Sequence, residues 1–286
     1  MLDEALARLR ADQELESDFR ALCDFGGRFA GTASEARARE WLASRLEEAV
    51  RGPVRQERVP HRGWTRGPSS VTDASGAEWP AQALGRSPAA AVTAPLLDLG
   101  RGTPADVEAA GAAVRGAIVM VRHEFMLGVG HVHRRRKYDA ARAAGAAGFL
   151  IACHEPGLGP VAGSAADGGA GNIPCAGVSN EAGAALAGQS GRPVTLRVSG
   201  AFADALAENL FAAVPARGEA LVVLSAHMDG HDLAESAIDN ASGLSCALAA
   251  ARAVRRAVPA CERGLEVALF GIEEWALEGS RFHLAA

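Results

Sequence analysis

Five residues near the end of the sequence have side chains that bind divalent metals or carry protons in hydrolases. They are His227, Asp229, Asp239, Glu273 and Glu274. His227 and Asp229 stand two apart at the end of an apolar run, so we expect their side chains on one face of a strand. Imidazole and carboxylate groups are ligands of zinc, and a bound metal that polarises water supports hydrolysis. The pattern therefore indicates a metal-dependent hydrolase.

The chemistry of each group suggests a division of roles. Because a metal-bound imidazole usually gives its other ring N–H to a carboxylate, Asp229 can orient His227. Asp239 opens the turn into the following helix, and its two carboxylate oxygens can bridge two cations. Glu273 and Glu274 are adjacent, and neighbouring carboxylates repel one another unless a cation lies beside them. We expect Glu274 to bind metal and Glu273 to act as a base toward water.

Strands and a helix must position these groups. Residues 221–225 and 265–270 read as strands, the second almost continuously apolar, as in a buried central strand. The Ala-rich run 241–258 reads as a helix that Pro259 ends. A further strand, 209–214, is expected to join the first through a hairpin turn. Ligands of an open α/β sheet gather beyond the carboxyl ends of its strands, where the five residues occur.

The remaining sequence predicts two domains. From residue 91 to 200 short β-like runs alternate with Gly-rich loops, which indicates a small β-rich insertion. The host domain would be discontinuous, formed by residues 1–90 and 201–286. The predicted fold class is α/β, with a mixed central sheet flanked by helices. Residues 26–32, Gly-Gly-Arg-Phe-Ala-Gly-Thr, form either the rim of the site or a connector between two helices.

Other polar residues are given lesser roles. His231, Asp232 and Glu235 are interpreted as rim residues of the site, and His283 as a packing or surface residue. The one basic run, 131–137, is interpreted as a solvated helix turn, with a patch for an acidic partner as the alternative. Its two histidines lack a carboxylate or cysteine at a supporting spacing, so no metal site is predicted there.

Composition excludes several classes of function. The net charge of -5, from 29 basic and 34 acidic residues, argues against a nucleic-acid partner. Five cysteines without CxxC spacing indicate reduced thiols in a cytoplasmic protein. The N-terminus lacks the basic and apolar regions of a signal peptide, and the apolar runs are too interrupted to span a membrane. Homo-oligomerisation stays open.

With these motifs, the sequence resembles the zinc-dependent exopeptidases of the leucyl aminopeptidase, glutamate carboxypeptidase and transferrin-receptor type. The segments that carry the resemblance are 27–32, 227–229, 237–243 and 270–280. The middle of the chain resembles the protease-associated domain that is often inserted in this family. That likeness is carried by residues 116–121, 144–148 and 173–178.

The resemblance implies a role for each site residue. His227 would bind one zinc, Asp239 would bridge two zinc ions, and Glu274 would bind the second. Glu273 would be the general base and acid, with Asp229 orienting His227. The implied reaction is that of an aminopeptidase, in which a zinc-activated hydroxide hydrolyses the N-terminal peptide bond of a peptide substrate.

One departure from the family pattern lies at the end of the sequence. Family members carry a further Asp and a further His beyond the Glu-Glu segment, whereas this sequence ends at Ala286. Each zinc would then have two protein ligands, where a catalytic zinc usually has three. We therefore expect a C-terminally incomplete fold with an open sheet edge and impaired activity. The alternatives are a non-catalytic member that binds partners through the inserted domain, and an amide-bond enzyme of the same fold, such as a cyclotransferase.

Overall fold

The computed structural model describes residues 2–286, with eight α-helices and nine strands in that range. The helices are α1 (Leu2–Arg10), α2 (Glu14–Asp24), α3 (Ala33–Val50), α4 (Pro104–Ala110), α5 (Arg134–Ala143), α6 (Asn180–Ala187), α7 (Ser242–Val254) and α8 (Glu278–Ala285). The strands are β1 (Arg55–Thr72), β2 (Glu78–Ala83), β3 (Ala90–Asp98), β4 (Ile118–Arg122), β5 (Gly148–Ala152), β6 (Cys175–Val178), β7 (Pro193–Val214), β8 (Leu221–His227) and β9 (Gly264–Phe270).

These elements form two compact units. The first comprises the chain up to Gly63 together with Asp204–Ala286, and the second is Trp64–Ala203. The chain passes from one unit to the other within β1 and again within β7. The structure confirms the predicted α/β class, with mixed sheet and flanking helices.

The first unit is built on the end of β7, with β9 and β8. β9 pairs antiparallel with β7, Leu210 opposite Leu269, and parallel with β8, His227 opposite Phe270. The crossover that parallel neighbours require is supplied by α7. Apolar side chains from α2, α3, α7 and the strands form one core, whose fully buried members include Leu22, Leu42, Leu46, Leu210, Leu244, Leu248, Val267 and Leu269.

The predicted hairpin between the strands at 209–214 and 221–225 is wrong. β9 lies between β7 and β8, so those two strands do not pair with each other in the described sheet. β9 has no exposed residue and takes the central position, as expected for a strand whose two faces are both covered. β8 is left at the edge, and its side chains of Leu221, Val222 and Val223 are exposed.

The second unit has a parallel centre with antiparallel flanks. β3, β4, β5 and β6 pair in parallel order, while β2 pairs antiparallel with β6 and β7 pairs antiparallel with β3. Its core includes the buried side chains of Leu84, Val107, Val119, Val121, Tyr138, Phe149 and Ile151. No helix within residues 2–286 has both the length and the apolar character needed to cross a bilayer.

Two segments differ in the structure from what the sequence predicts for them. Residues 64–90, assigned by the sequence to the first domain, fold with the second unit because β1 pairs with β2 and β2 pairs with β6. Within the basic run, Lys137 is buried instead of solvated. Its ammonium group donates to the Glu124 carboxylate and to the main-chain oxygens of Arg101 and Arg122.

The packing of α7 generates a stability prediction. Leu248 is fully buried in the core of the first unit, whereas Cys246 on the same helix is exposed. Leu248→Ala should lower the free energy of unfolding by about 2–5 kcal/mol, because it leaves a cavity in a close-packed core. Urea denaturation followed by circular dichroism measures this loss. Cys246→Ala is the matched control and should change stability by less than about 0.5 kcal/mol; equal losses in the two variants would show that α7 packs differently.

Candidate metal and catalytic site

The carboxyl ends of β8 and β9 bring the predicted residues together. The two strands are parallel and in register at His227 and Phe270, so the residues that follow them emerge at the same edge of the sheet. Asp229 follows β8 after Met228, and the pair Glu273 and Glu274 follows β9 after Gly271 and Ile272. Asp239 lies in a tight turn, Ala237–Ala241, that leads into α7.

His227 contacts both aspartates. Its Nε2 lies 2.8 Å from the Asp239 carboxylate, and its Nδ1 lies 3.1 Å from the main-chain oxygen of Asp229. Burial lowers the pKa of the imidazole, but the carboxylates of Asp229, Glu273 and Asp239 outweigh that effect and raise the pKa to about 9. The ring therefore lies in a strongly negative environment, which favours a positive charge at this position.

Asp229 is buried, and its carboxylate accepts hydrogen bonds from the main chain of both glutamates. One carboxylate oxygen accepts the N–H of Glu273 at 2.9 Å, and the other accepts the N–H of Glu274 at 3.1 Å. The predicted contact with His227 exists, but the carboxylate is 3.5 Å from Nδ1, farther than the main-chain oxygen of the same residue. Asp229 thus fixes the end of β9 at least as much as it orients the imidazole.

The carboxylates of Glu273 and Glu274 contact different histidines. Glu273 lies 3.9 Å from Nε2 of His227 and is one-third exposed. Burial raises the pKa of Glu273, with the His227 charge opposing and the nearby carboxylates adding to the rise. Glu274 is more buried, and its carboxylate lies 3.0 Å from Nε2 of His231. The pair therefore presents one accessible carboxyl group and one enclosed carboxyl group.

His231 is the residue that the sequence interpretation undervalued. Assigned there to the rim, it faces Glu274 in the structure, and its ring stacks on Phe29 with centroids 6.1 Å apart. Its Nδ1 is buried and has no hydrogen-bond partner among the described residues. The available signal was the alternation His-x-Asp-x-His over residues 227–231, which extends the His-x-Asp pattern by one step.

A buried arginine from the loop 26–32 stabilises the segments around the site through hydrogen bonds. Arg28 is fully buried, and its guanidinium donates to four main-chain oxygens, those of Leu22, Met228, Glu235 and Ser236. Gly230 in turn donates its N–H to the Arg28 oxygen at 2.9 Å. A side chain at Gly27 would place its Cβ 2.1 Å from the Asp232 oxygen. The loop 26–32 therefore supports the site, which favours the rim interpretation over a simple connector.

The side chains at this site can be compared with the ligands that zinc requires. No three His, Cys, Asp or Glu side chains within residues 2–286 converge on one metal position. Two imidazole–carboxylate pairs do exist, His227 with Asp239 and His231 with Glu274. Both pairs consist of ligand types that zinc accepts, and the unpartnered Nδ1 of His231 adds a buried donor. The residues are therefore of types that bind zinc, and each of the two pairs offers two ligand side chains.

Comparison with known proteins agrees with this geometry. Residues 209–286 match the model of peptidase family M28, and residues 91–186 match the model of the PA domain. The chain has the M28 peptidase fold with an inserted PA domain. This finding confirms the family resemblance drawn from the motifs. A search of curated protein sequences returned no match.

Solved structures give the same fold. BSAP, a zinc aminopeptidase from Bacillus subtilis, is 26% identical with a TM-score of 0.74, over 96% of this chain and 64% of that one. The aminopeptidase of Aneurinibacillus sp. strain AM-1 is 22% identical with a TM-score of 0.71, over 96% and 65% of the chains. The peptidase M28 precursor of Shewanella amazonensis SB2B is 22% identical with a TM-score of 0.79, over 99% and 69%. The present chain thus spans 64% of the length of the Bacillus enzyme.

The double main-chain contact of Asp229 generates a prediction. In Asp229→Asn, one of the two N–H groups faces an amide NH₂ in place of an oxygen, so a buried hydrogen bond to a charged acceptor is lost. We expect the free energy of unfolding to fall by about 1.5–3 kcal/mol, measured by urea denaturation. Asp204→Asn, on an exposed part of β7, is the matched control. A loss no greater than that of the control would show that Asp229 does not fix the end of β9.

Proposed function

We propose that this chain acts as a zinc-dependent metallopeptidase of the aminopeptidase type, which removes the N-terminal residue of peptides. The observation that carries the proposal is the meeting of His227 and Asp239 at 2.8 Å beside the carboxyl group of Glu273. The match of residues 209–286 to peptidase family M28 supports it. The similarity to a zinc aminopeptidase from Bacillus subtilis supports it further.

Two zinc ions are assigned to the paired donors. His227 and Asp239 would hold one ion, and Glu274 with His231 would hold the other. Asp239 is proposed to bridge both ions, since its carboxylate is 71% exposed and has two oxygens to offer. When bound, zinc supplies a Lewis acid that polarises the peptide carbonyl and makes water a better nucleophile at neutral pH.

Glu273 is proposed to move the proton. Its carboxyl group reaches the space beside His227, and its raised pKa brings it nearer to neutral pH, where a group can both accept and return a proton. It would take a proton from the attacking water and deliver it to the leaving amine. Asp229 keeps Glu273 and Glu274 in place by holding both main-chain N–H groups.

The competing function is non-catalytic binding through the inserted PA domain. It is favoured by the lack of any three converging metal donors within residues 2–286. A cytoplasmic location is proposed as well, and it is supported by the five cysteines, which are free thiols in the structure. The two functions differ in what zinc does to the protein, so a metal measurement separates them.

Metal content and peptidase activity should be measured on the same preparation. The protein is stripped with a chelator and titrated with zinc, and hydrolysis of leucine and other aminoacyl p-nitroanilides is followed at each zinc level. We expect activity to appear with zinc and to vanish on renewed chelation. Tight zinc binding without activity on any anilide would overturn the enzymatic proposal and support the binding function.

Glu273→Gln should abolish turnover while leaving zinc in place. The amide keeps the size of the side chain but cannot carry the proton, so we expect kcat to fall by about 10²–10⁴-fold. Zinc content by atomic absorption should match that of the unmodified protein. Glu262→Gln, on an exposed carboxyl group, is the matched control and should keep full activity. Loss of zinc from Glu273→Gln would contradict the separation of roles between Glu273 and Glu274.

Asp239→Ala should release zinc from both positions. Removing the proposed bridge leaves each ion with fewer donors, so dialysis should strip the variant under conditions in which the unmodified protein keeps its metal. Asp204→Ala serves as the control for loss of one exposed carboxylate. If Asp239→Ala retains two zinc ions after dialysis, the bridging role is wrong.

A further inference from the structure

A second pair of imidazoles lies in the PA-domain unit. His123 directly follows β4, and His154 follows β5 after Cys153. β4 and β5 are parallel neighbours, with Arg122 opposite Ala152, so both histidines emerge at the same carboxyl edge of the sheet. This is the edge at which open α/β sheets place their ligands.

The two rings face one another through the same type of nitrogen. Nδ1 of His123 lies 3.3 Å from Nδ1 of His154, and the ring centroids are 5.3 Å apart. Two zinc–nitrogen bonds of about 2.0–2.1 Å at a tetrahedral angle place their nitrogens about 3.3–3.4 Å apart. The two nitrogens form an N–H···N hydrogen bond in the structure, and their separation is also that of two imidazoles sharing one tetrahedral ion.

The main chain holds both histidines in position. The N–H of His123 donates to the Ala152 oxygen at 2.8 Å. Just before His154, the N–H of Cys153 donates to the Val178 oxygen at 3.0 Å, and the Cys153 oxygen accepts from the Asn180 amide at 3.0 Å. The pair is thus fixed by the parallel ladder and by the start of α6, so little ordering is required on binding.

A carboxylate lies near the ring of His154, on the side away from His123. Nε2 of His154 lies 3.5 Å from the Glu155 carboxylate, on the opposite side of the ring from Nδ1. Metal-bound histidines usually give their second N–H to such a carboxylate, which fixes the tautomer and leaves the first nitrogen for the metal. His154 therefore has both the inner-facing nitrogen and the outer carboxylate that a metal ligand needs.

Cationic side chains also lie near the pair. Arg134 and Lys137 are close enough to act electrostatically on His123. These cations oppose a further positive charge, so binding should be weaker than at a site built from carboxylates or thiolates.

We propose that His123 and His154 form a binding site for one divalent transition-metal ion, such as zinc, in the PA-domain unit. Nδ1 of each ring is a ligand and Glu155 orients His154. The described residues hold no third His, Cys, Asp or Glu donor at this position, so water completes the coordination. The ion would join the segment after β4 to the segment after β5, two segments that carry the exposed apolar side chains of Phe125, Leu127 and Leu158.

This proposal is independent of the peptidase assignment and is tested beside it. The full chain, stripped of metal, is titrated with zinc against a chromophoric chelator, and the zinc equivalents are counted for each variant. His123→Ala and His154→Ala should each lose one equivalent, while the equivalents assigned to His227 and Asp239 remain. Glu155→Gln should keep that equivalent with about tenfold weaker affinity.

His131→Ala is the matched control, because His131 is an exposed histidine on the segment after β4. It should leave the number of equivalents unchanged. Long-range ¹H–¹⁵N spectra of the unmodified protein give a second measurement that requires no variant: at saturating zinc, Nδ1 of His123 and of His154 should both shift to metal-bound values. An unchanged zinc count in both alanine variants, or spectra that retain an N–H···N hydrogen bond between the rings, would overturn the site.

Discussion

The candidate site depends on one buried charge, the carboxylate of Asp229. Removing an ionised carboxylate from water costs several kcal/mol unless hydrogen bonds and opposite charge replace the lost hydration. Here the replacement comes from the N–H groups of Glu273 and Glu274 and from the nearby imidazole of His227. Because those partners lie at or beyond the ends of two different strands, the hydrogen bonds to this one charge set the distance between the end of β8 and the end of β9. The positions of both glutamates are therefore set by the hydrogen bonds that replace the lost hydration of the Asp229 carboxylate.

The cluster also has more negative than positive groups. Asp229, Asp239, Glu273 and Glu274 supply four carboxyl groups, and the histidines that contact them are His227 and His231. This excess of negative charge raises the pKa of His227 to about 9 despite the burial of its ring, because a proton on the imidazole partly offsets it. A divalent cation would meet the same need more fully, and it would release that proton on binding. The electrostatics of the cluster thus agree with the donor chemistry in indicating a cation site.

The sequence was sufficient to predict that the residues at the two strand ends lie together. His227, Asp229, Glu273 and Glu274 come directly after apolar runs, and the parallel arrangement at their edge follows from the helix between the runs. Arg28 could not be predicted, because a lone arginine is usually exposed and its four acceptors are main-chain oxygens from distant segments. The His-x-Asp-x-His alternation offered a signal for His231, but its stacking on Phe29, about 200 residues away in the chain, could not be read from a local pattern. The order of β7, β9 and β8 was missed for a similar reason, since neighbouring runs in sequence suggest a hairpin and only burial of β9 decides otherwise.

The two units place histidines by the same rule and give them opposite surroundings. In each unit a pair of parallel strands, β8 with β9 or β4 with β5, ends at one edge, and imidazoles lie at or just beyond the ends of β8, β4 and β5. Around His227 the neighbours are carboxylates, which raise the pKa of the ring and would hold a cation strongly. Around His123 burial and neighbouring cations lower the pKa, so the ring is neutral and its attraction for a metal rests on the nitrogen lone pair alone. The first environment suits an ion that must polarise a substrate, whereas the second suits an ion that only joins two segments. The fold therefore fixes where the imidazoles lie, and the charges packed around them determine what a metal there could do.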